Sequence, residues 1–275
     1  MNKVTNSDLD KLIIAVHSSK KYRDMDLPTD FLLDLATQAA STSRNDAEIK
    51  TIFRKSLHNV IAPYLESIDY AKETSRLQDS PIILQDIRAY CLDIMQKHAS
   101  TRERIPYLED FAACISEGIG HPSSILDLAC ALDPLCLPWF NFASQPRFQA
   151  FDVNGARKKY LQTFFELTYP SATATQQDIF LQTPQQKADC VFFFKEAHRL
   201  EKRQPGGTAL LLHQLQVDVI VLSLPAYDLG HHHSLENYHT NLVDKAIHGQ
   251  PWSLNKETVG NELIFFIRKG DITNA

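Results

Sequence analysis

Three aspartates between residues 127 and 178 stand where chemistry can be done. Asp127 falls in an apolar run, just before the small-residue turn Leu128-Ala129-Cys130-Ala131. Asp152 ends the next such run, and Asp178 follows a weaker third one after Thr173-Ala174-Thr175-Gln176-Gln177. If these runs are parallel strands, the acids share the carboxyl edge of one sheet, where open α/β sheets bind ligands. Small residues after the first strand let a ligand approach the backbone. A carboxylate ending the second can accept both hydrogen bonds of a ribose diol, and an acid after the third can read an adenine amine. That layout suits a nucleoside-bearing cofactor. Aspartate is also an ordinary turn former and helix cap, so spacing alone leaves both uses open. The turn is not G-x-G-x-x-G and no G-x-x-x-x-G-K-[ST] is present, so a phosphate cradle is missing. A cofactor without phosphates, such as S-adenosylmethionine, needs less glycine.

Other reactive residues form weaker patterns. Cys91, Cys114, Cys130, Cys136 and Cys190 are odd in number, widely spaced and without CxxC. They read as small buried hydrophobes in a reducing cytosol, not as a disulfide framework or zinc knot. Neither Cys130 nor Cys136 has a convincing His and acid partner for nucleophilic catalysis. The run His231-His232-His233 invites a metal, with His239 or His248 as further ligands. Three consecutive side chains rarely converge on one tetrahedral site, so a mobile loop is expected there and no metal.

The elements that must position these residues divide the chain in two. Up to about residue 95 the apolar spacing is helical. Ser7 can cap a helix bearing Leu9, Leu12, Ile13 and Val16; Pro28 and Thr29 open a second with Phe31, Leu32 and Leu35. Asn45 can cap a longer third, with Ile49, Ile52, Phe53, Leu57, Val60, Ile61 and Tyr64 as one stripe. Beside it lie Lys50, Arg54 and His58 at i, i+4 and i+8, with Lys55 further round. Pro81 precedes a fourth helical stretch, roughly residues 83 to 97. From about residue 121 short apolar runs alternate with helices: 124–130, 147–153, 188–194, 217–224 and 262–268. Continuous runs such as Cys190-Val191-Phe192-Phe193-Phe194 mark strands buried on both faces, as in a parallel sheet covered by helices. The segment 257–266 is expected to close the sheet as an antiparallel edge strand. We read a helical unit, residues 1–97, joined to an α/β unit, residues 98–275.

Composition bounds the function. The 275 residues are 44% hydrophobic, enough for a sizeable core, and 28 Lys+Arg against 33 Asp+Glu give a net charge of −5. That excludes a generically basic nucleic-acid coat protein while leaving local basic surfaces open. No apolar run approaches the roughly 20 residues that span a bilayer, and residues 1–10 show no signal peptide, so a cytoplasmic protein is expected.

With these residues in view, the sequence resembles the S-adenosylmethionine-dependent methyltransferases that modify a guanine N7 in the decoding region of 16S ribosomal RNA and confer aminoglycoside resistance. The specific segments are His98-Ala99-Ser100-Thr101-Arg102-Glu103-Arg104 and Asp127-Leu128-Ala129-Cys130-Ala131-Leu132-Asp133-Pro134. Ser19-Lys20-Lys21-Tyr22, Leu57-His58, Tyr64 and Gly260-Asn261-Glu262-Leu263-Ile264 add support in order along the chain. The resemblance implies a class I methyltransferase domain with a seven-stranded, Rossmann-like sheet. It also implies a helical N-terminal domain that docks on the 30S subunit.

Carried over by position, the cofactor-binding residues are the His98–Arg104 segment, Ala129, Asp152, Asp178, Ile179, Phe194 and Tyr64, with Arg203 or Gln204 facing the cofactor. Arg104 is the expected partner of the methionine carboxylate. Lys195 is a candidate contact to the guanine or its phosphate. The basic residues Lys20, Lys21, Arg23, Lys50, Arg54, Lys55 and His58 become candidate rRNA contacts. A monomer is expected. Guanine N7 carries a free lone pair, so no catalytic base is named.

The chain departs from the family at several points. Asp133 stands where asparagine is usual, Ala131 where glycine is common, and Asn154 where some relatives carry an acid. After the fifth strand, a Gly-rich loop with Arg and Lys gives way to a shorter one holding His231–His233, whose side chains are mostly neutral at pH 7. Two alternatives stay open on that account. One is a methyltransferase with another rRNA position or a small molecule as acceptor. The other is a catalytically silent RNA- or ribosome-binding relative.

Overall fold

The computed structural model describes residues 6–43, 45–61, 68–79, 86–228, 230 and 232–270. Helices α1 (Asn6–His17), α2 (Thr29–Thr42) and α3 (Asp46–Ile61) come first. Asn45 caps α3, its Oδ1 accepting from the N–H of Ala47 at 2.9 Å and of Glu48 at 3.4 Å. The i, i+3/i+4 apolar positions of all three helices, among them Leu9, Phe31, Leu35, Phe53 and Leu57, close into one core. The side chain of Ser7 and the whole of Tyr64 lie outside the described residues.

Helices α4 (Tyr70–Asp79) and α5 (Ile87–Met95) follow. Asp86 caps α5, accepting from the N–H of Ala89 at 3.0 Å, so the fourth expected helix is the shorter α5. Helix α4 has no apolar stripe that marks it in the sequence; only Tyr70 and Leu77 in it are buried. Both helices pack into a second core shared with one face of the sheet. By packing, the change of core falls between Ile61 and Tyr70, whereas the sequence expectation ended the helical unit at residue 97. Periodicity shows that a helix has a buried face but not what that face meets.

Helices α6 (Ala99–Arg104) and α7 (Leu108–Ile119) lead into β1 (Ser124–Leu128). Then come β2 (Arg147–Asp152), α8 (Gly155–Thr168), β3 (Ala172–Gln176), β4 (Ala188–Phe194), α9 (Ala197–Arg203), α10 (Gly207–Gln214), β5 (Val217–Pro225), α11 (Glu236–Ile247), β6 (Ser253–Val259) and β7 (Glu262–Arg268). The sheet order is β3-β2-β1-β4-β5-β7-β6. Strands β1 to β5 pair in parallel, and β7 runs antiparallel to both β5 and β6. The α/β architecture with seven strands matches the expectation.

One element differs. The segment 257–266 is not one edge strand but the turn and inner parts of a β6–β7 hairpin. Strand β7 is internal and buried from Glu262 to Ile267, while β6 takes the edge and is mostly exposed. Gly260, at φ +55°, makes the turn; a Cβ there would run into the Tyr107 ring. The period-two packing of a doubly covered strand is plain in β4. Phe192 and Phe194 join the core with α4, α5, α7 and α8, whereas Val191 and Phe193 join the opposite core with α9, α10 and α11. All five cysteines are free thiols. Among the described residues no helix is long and apolar enough to cross a membrane.

Candidate cofactor cleft and basic face

A cleft of about 620 Å³ opens at the carboxyl ends of β1 to β4, beside the switch in strand order between β1 and β4. Ala129, Asp152, Asp178, Ile179 and Arg203, all expected at the cofactor, line it together. Phe180, Phe193 and Leu200 give it apolar walls. The opposite wall comes from the N-terminal helices: Phe31, Leu35 and Gln38 of α2, and Ser56, Asn59 and Val60 of α3. Volume and lining suit a nucleoside-sized ligand.

The turn after β1 is built tightly. Ala129 and Ala131 hold left-handed φ values of +51° and +45°, a conformation that glycine takes at less cost. Asp152 fixes this turn and the next. Its Oδ2 accepts from the Ala131 N–H (3.0 Å) and from Arg157 Nη1 (2.8 Å), and its Oδ1 from the Asn154 N–H (2.7 Å). One lone pair of Oδ1 is left for a ligand hydroxyl. Arg157 escaped the sequence reading. A buried cation in the first turn of a helix runs against the helix dipole and therefore needs a fixed anion, but only the fold shows that it is buried.

Asp178 is also braced. Its Oδ1 accepts from the Phe180 N–H (2.9 Å) and its Oδ2 from Arg203 Nη1 (2.7 Å). Arg203 Nη2 reaches back to Asp34 of α2 at 2.9 Å, and its guanidinium sits over the rings of Phe31 (5.5 Å) and Phe180 (5.1 Å). Gln204 is exposed at the end of α9 and is not on the cleft wall.

The His98–Arg104 segment lies elsewhere. None of its residues lines the cleft; α6 packs over the strand ends beside it and closes a buried ionic cluster. Arg104 is fully buried, with Nε and Nη2 on Glu262 (2.7 and 3.0 Å) and Nη1 on Asp133 (2.6 Å). Its guanidinium lies 4.0 Å from the Phe111 ring and 5.3 Å from the Phe194 ring. Its fork is thus already engaged by two carboxylates. Phe194 serves as a wall of that cluster, and its neighbour Phe193 is the ring that faces the cleft, because successive strand residues point to opposite faces.

Lys195, at φ +54°, turns inward and donates to the Ser100 carbonyl (3.2 Å) and Glu103 (3.1 Å), with Glu262 at 3.3 Å. Ser223 donates to Glu262 as well. Burial opposes ionisation of Glu262, but the charges of Arg104 and Lys195 outweigh it and hold the carboxyl down at about 2. Burial pushes Asp127 the other way, well above its ordinary value, with Asp133 and Asp152 adding repulsion.

Asp127 supplies the test of whether a cofactor fits. It lies two residues before Ala129 of the cleft but not itself on the cleft wall; it is 1% exposed, and neither carboxylate oxygen has a hydrogen-bond partner among the described residues. An orphaned acid beside a left-handed turn calls for a cationic or N–H-bearing ligand group. The amino-acid end of S-adenosylmethionine carries one, and its adenosine suits the cleft. Among the described residues no group of His, Cys, Asp and Glu could hold a metal ion.

Away from the cleft, folding joins the two basic clusters. Lys21 Nζ donates to His58 Nδ1 at 3.2 Å, across 37 residues of sequence. Lys20, Arg23, Lys50, Arg54 and Lys55 are exposed around it. Arg23 has Asp24 at 3.4 Å, whereas Lys20, Lys50, Arg54 and Lys55 form no ion pair among the described residues.

Comparison with known proteins shows what the whole chain is similar to. A family model described as ribosomal RNA methyltransferase (FmrO) matches residues 18–267. A protein named 16S rRNA (guanine(1405)-N(7))-methyltransferase from Frankia casuarinae is 27% identical over 86% of this chain and 85% of its own length. One of the same name from Micromonospora rosea is 25% identical over 95% and 97%. Among solved structures, the 16S rRNA methylase RmtB aligns with TM-score 0.76 at 22% identity, over 95% of this chain and 98% of that one. The 16S rRNA methyltransferase RmtF, solved with S-adenosyl-L-homocysteine, aligns with TM-score 0.79 at 19% identity, over 97% and 100%.

Proposed function

The chain belongs to the ribosomal RNA methyltransferase (FmrO) family, and from that premise we propose that it methylates N7 of guanine 1405 of 16S rRNA in the 30S subunit. The donor is S-adenosylmethionine, whose sulfonium supplies the methyl group as an electrophile. The observation that carries this reading is a shared element. Helix α3 sends Ser56, Asn59 and Val60 into the cleft wall while Lys50, Arg54 and Lys55 stand exposed on the same helix. One rigid element thus borders the cofactor and offers cations to a polyanion.

The residues do positional work. Asp152 holds the ribose, Ile179, Phe180 and Phe193 enclose the base, and Asp127 receives the ammonium end. Tyr64, expected to reach the cofactor from the N-terminal helices, lies outside the described residues. The His98–Arg104 segment acts from behind, by fixing Glu262 and Lys195. Guanine N7 needs no deprotonation, so in-line placement and exclusion of water carry the rate. The product gains a fixed positive charge and loses an acceptor at N7. That disfavours a polycationic aminoglycoside, and resistance follows. The enzyme works as a cytoplasmic monomer in this reading.

The test is transfer of labelled methyl from S-adenosylmethionine to purified 30S subunits, with the product mapped by cleavage at N7-methylguanine. A label at guanine 1405 is expected; a folded, cofactor-binding protein that transfers none would overturn the proposal. A second reading, transfer to a different acceptor, draws on the loop after β5. There Tyr227 bridges to Ser234, and the Asp228 carboxylate accepts from the His232 N–H at 2.8 Å, in a stretch where the resemblance implies Arg and Lys and this chain carries His232 and His233. The same mapping separates the two.

A further inference from the structure

One stretch of the cleft rim is used neither by the cofactor residues nor by the basic face of α3. His198 of α9 lines the cleft. Its ring lies 5.4 Å from that of His239 on α11, and the His239 ring lies 5.2 Å from that of Tyr238. These three rings make a continuous aromatic path from the cleft wall to solvent, where Tyr238 is 54% exposed. The middle ring is fixed: His239 is 2% exposed, and its Nδ1 donates to the Pro225 carbonyl at 2.7 Å. Cations flank the path. Lys202 and Arg199 of α9 line the same cleft; Lys202 is exposed and forms no ion pair among the described residues, while Arg199 has Glu196 at 3.8 Å.

Burial, with Arg199, His239 and Lys202 nearby, holds the His198 imidazole down at about 3. Burial lowers His239 as well, against the hydrogen bond to Pro225 and with Lys202 adding to the fall. Both rings are therefore neutral at pH 7, each with one N–H donor and one acceptor nitrogen. His198 Nδ1 is buried without a hydrogen-bond partner among the described residues. Aromatic faces interleaved with cations are the pattern that binds unpaired nucleotides, with stacking for bases and charge for phosphates.

We propose that His198, Tyr238 and Lys202 form the acceptor subsite, which takes an unpaired purine nucleotide of RNA with its base against the rings and its phosphate on Lys202. The inference rests on the rRNA reading above. Recognition by rings instead of cations depends less on salt, which suits a molecule of net charge −5.

The test separates the subsite from the reaction. A single-stranded RNA pentamer with one central guanine is titrated into protein loaded with S-adenosylhomocysteine, at low salt. Tyr238→Ala should weaken binding about tenfold, within the range for removal of a stacking ring, and Tyr238→Phe should restore it. Lys202→Gln should lower the salt slope by about 1. Tyr238 is a surface residue, so folding is not at stake, and cofactor affinity should stay unchanged in its variants. A pentamer that fails to bind the parent protein, or binds Tyr238→Ala equally well, overturns the subsite. Failure of methyl transfer to 30S subunits with pentamer binding intact overturns the rRNA reaction alone.

Discussion

At the residue scale the site is organised by buried charge of opposite tendencies. Glu262 is ionised in the fold and Asp127 resists ionisation, so the two respond to pH with opposite sign. For Glu262, the stabilisation is complete above its ordinary 4.5 and is lost as pH falls toward about 2. For Asp127, the fold favours the protonated form, so stability falls as pH rises from its ordinary 3.8 toward its raised value. Asp127→Asn should therefore raise stability at pH 8, by about 1–3 kcal/mol, and change little at pH 4. Thermal unfolding across this range reads the effect, and a lower melting point at pH 8 would contradict it. The same variant should bind cofactor more weakly, because Asp127 is the proposed partner of the ligand's ammonium end. Asp152 behaves differently. Asp152→Ala strips the anion from Arg157, which is 1% exposed, and should cost about 3–5 kcal/mol in urea unfolding through the uncompensated buried cation. Asp152→Asn keeps the shape and isolates the binding role. Calorimetry should find cofactor affinity lower by about 1–3 kcal/mol; unchanged affinity in a folded protein would remove Asp152 from the ribose.

At the scale of elements, α3 joins two tasks, and they can be separated by salt. Changing Lys50, Arg54 and Lys55 to Gln should lower the salt slope of 30S binding by about 1 for each phosphate that the helix no longer neutralises, with cofactor affinity kept. An identical slope would show that this face of α3 is only solvated. The helix was legible in the sequence because its cap, stripe and basic flank are local patterns. So were the parallel strands β1, β2, β4 and β5, each a short apolar run, and the three acids in or just after β1, β2 and the weaker β3. Less legible was whatever depends on long-range pairing. The β6–β7 hairpin hid in one apolar stretch because only the partner of each half distinguishes an internal strand from an edge. Helix α4 buries just Tyr70 and Leu77, too thin a stripe to register. The place of Phe193 and not Phe194 in the cleft turns on a one-residue phase, which flips every side chain of a strand. Arg157 and Glu262 needed the fold as well, since each matters only through a partner: Asp152 from the preceding strand for one, Arg104 from 158 residues away for the other.

At the scale of the whole molecule, the cleft lies where the helical N-terminal unit packs on the sheet domain, and two of the polar contacts between them among the described residues bear on its geometry. On one side Asp26 meets α8: its carboxylate takes Lys159 at 2.8 Å, its carbonyl accepts from the Gly155 N–H at 3.3 Å, and a Cβ on Gly155 would strike that carbonyl. On the other side Arg203 joins Asp34 of α2 to Asp178 beside the cofactor site, with 10% of the Arg203 side chain and 23% of that of Asp34 exposed. A cation shared between two units makes the geometry of one depend on the other. Placement of α2 should therefore be felt by the cofactor through Arg203, although Asp34 is not on the cleft wall. A double-mutant cycle tests this. Arg203→Gln and Asp34→Asn should each weaken cofactor binding, about three- to tenfold. Together they should do little more than Arg203→Gln alone, giving a coupling of about 1 kcal/mol, which partial exposure keeps at the low end for residues in contact. Strictly additive losses would mean that Asp34 acts only on the stability of α2. Non-additive losses would mean that the helices offered to the ribosome and the pocket offered to the methyl donor are set by one side chain, so that a loaded cleft also fixes the basic face.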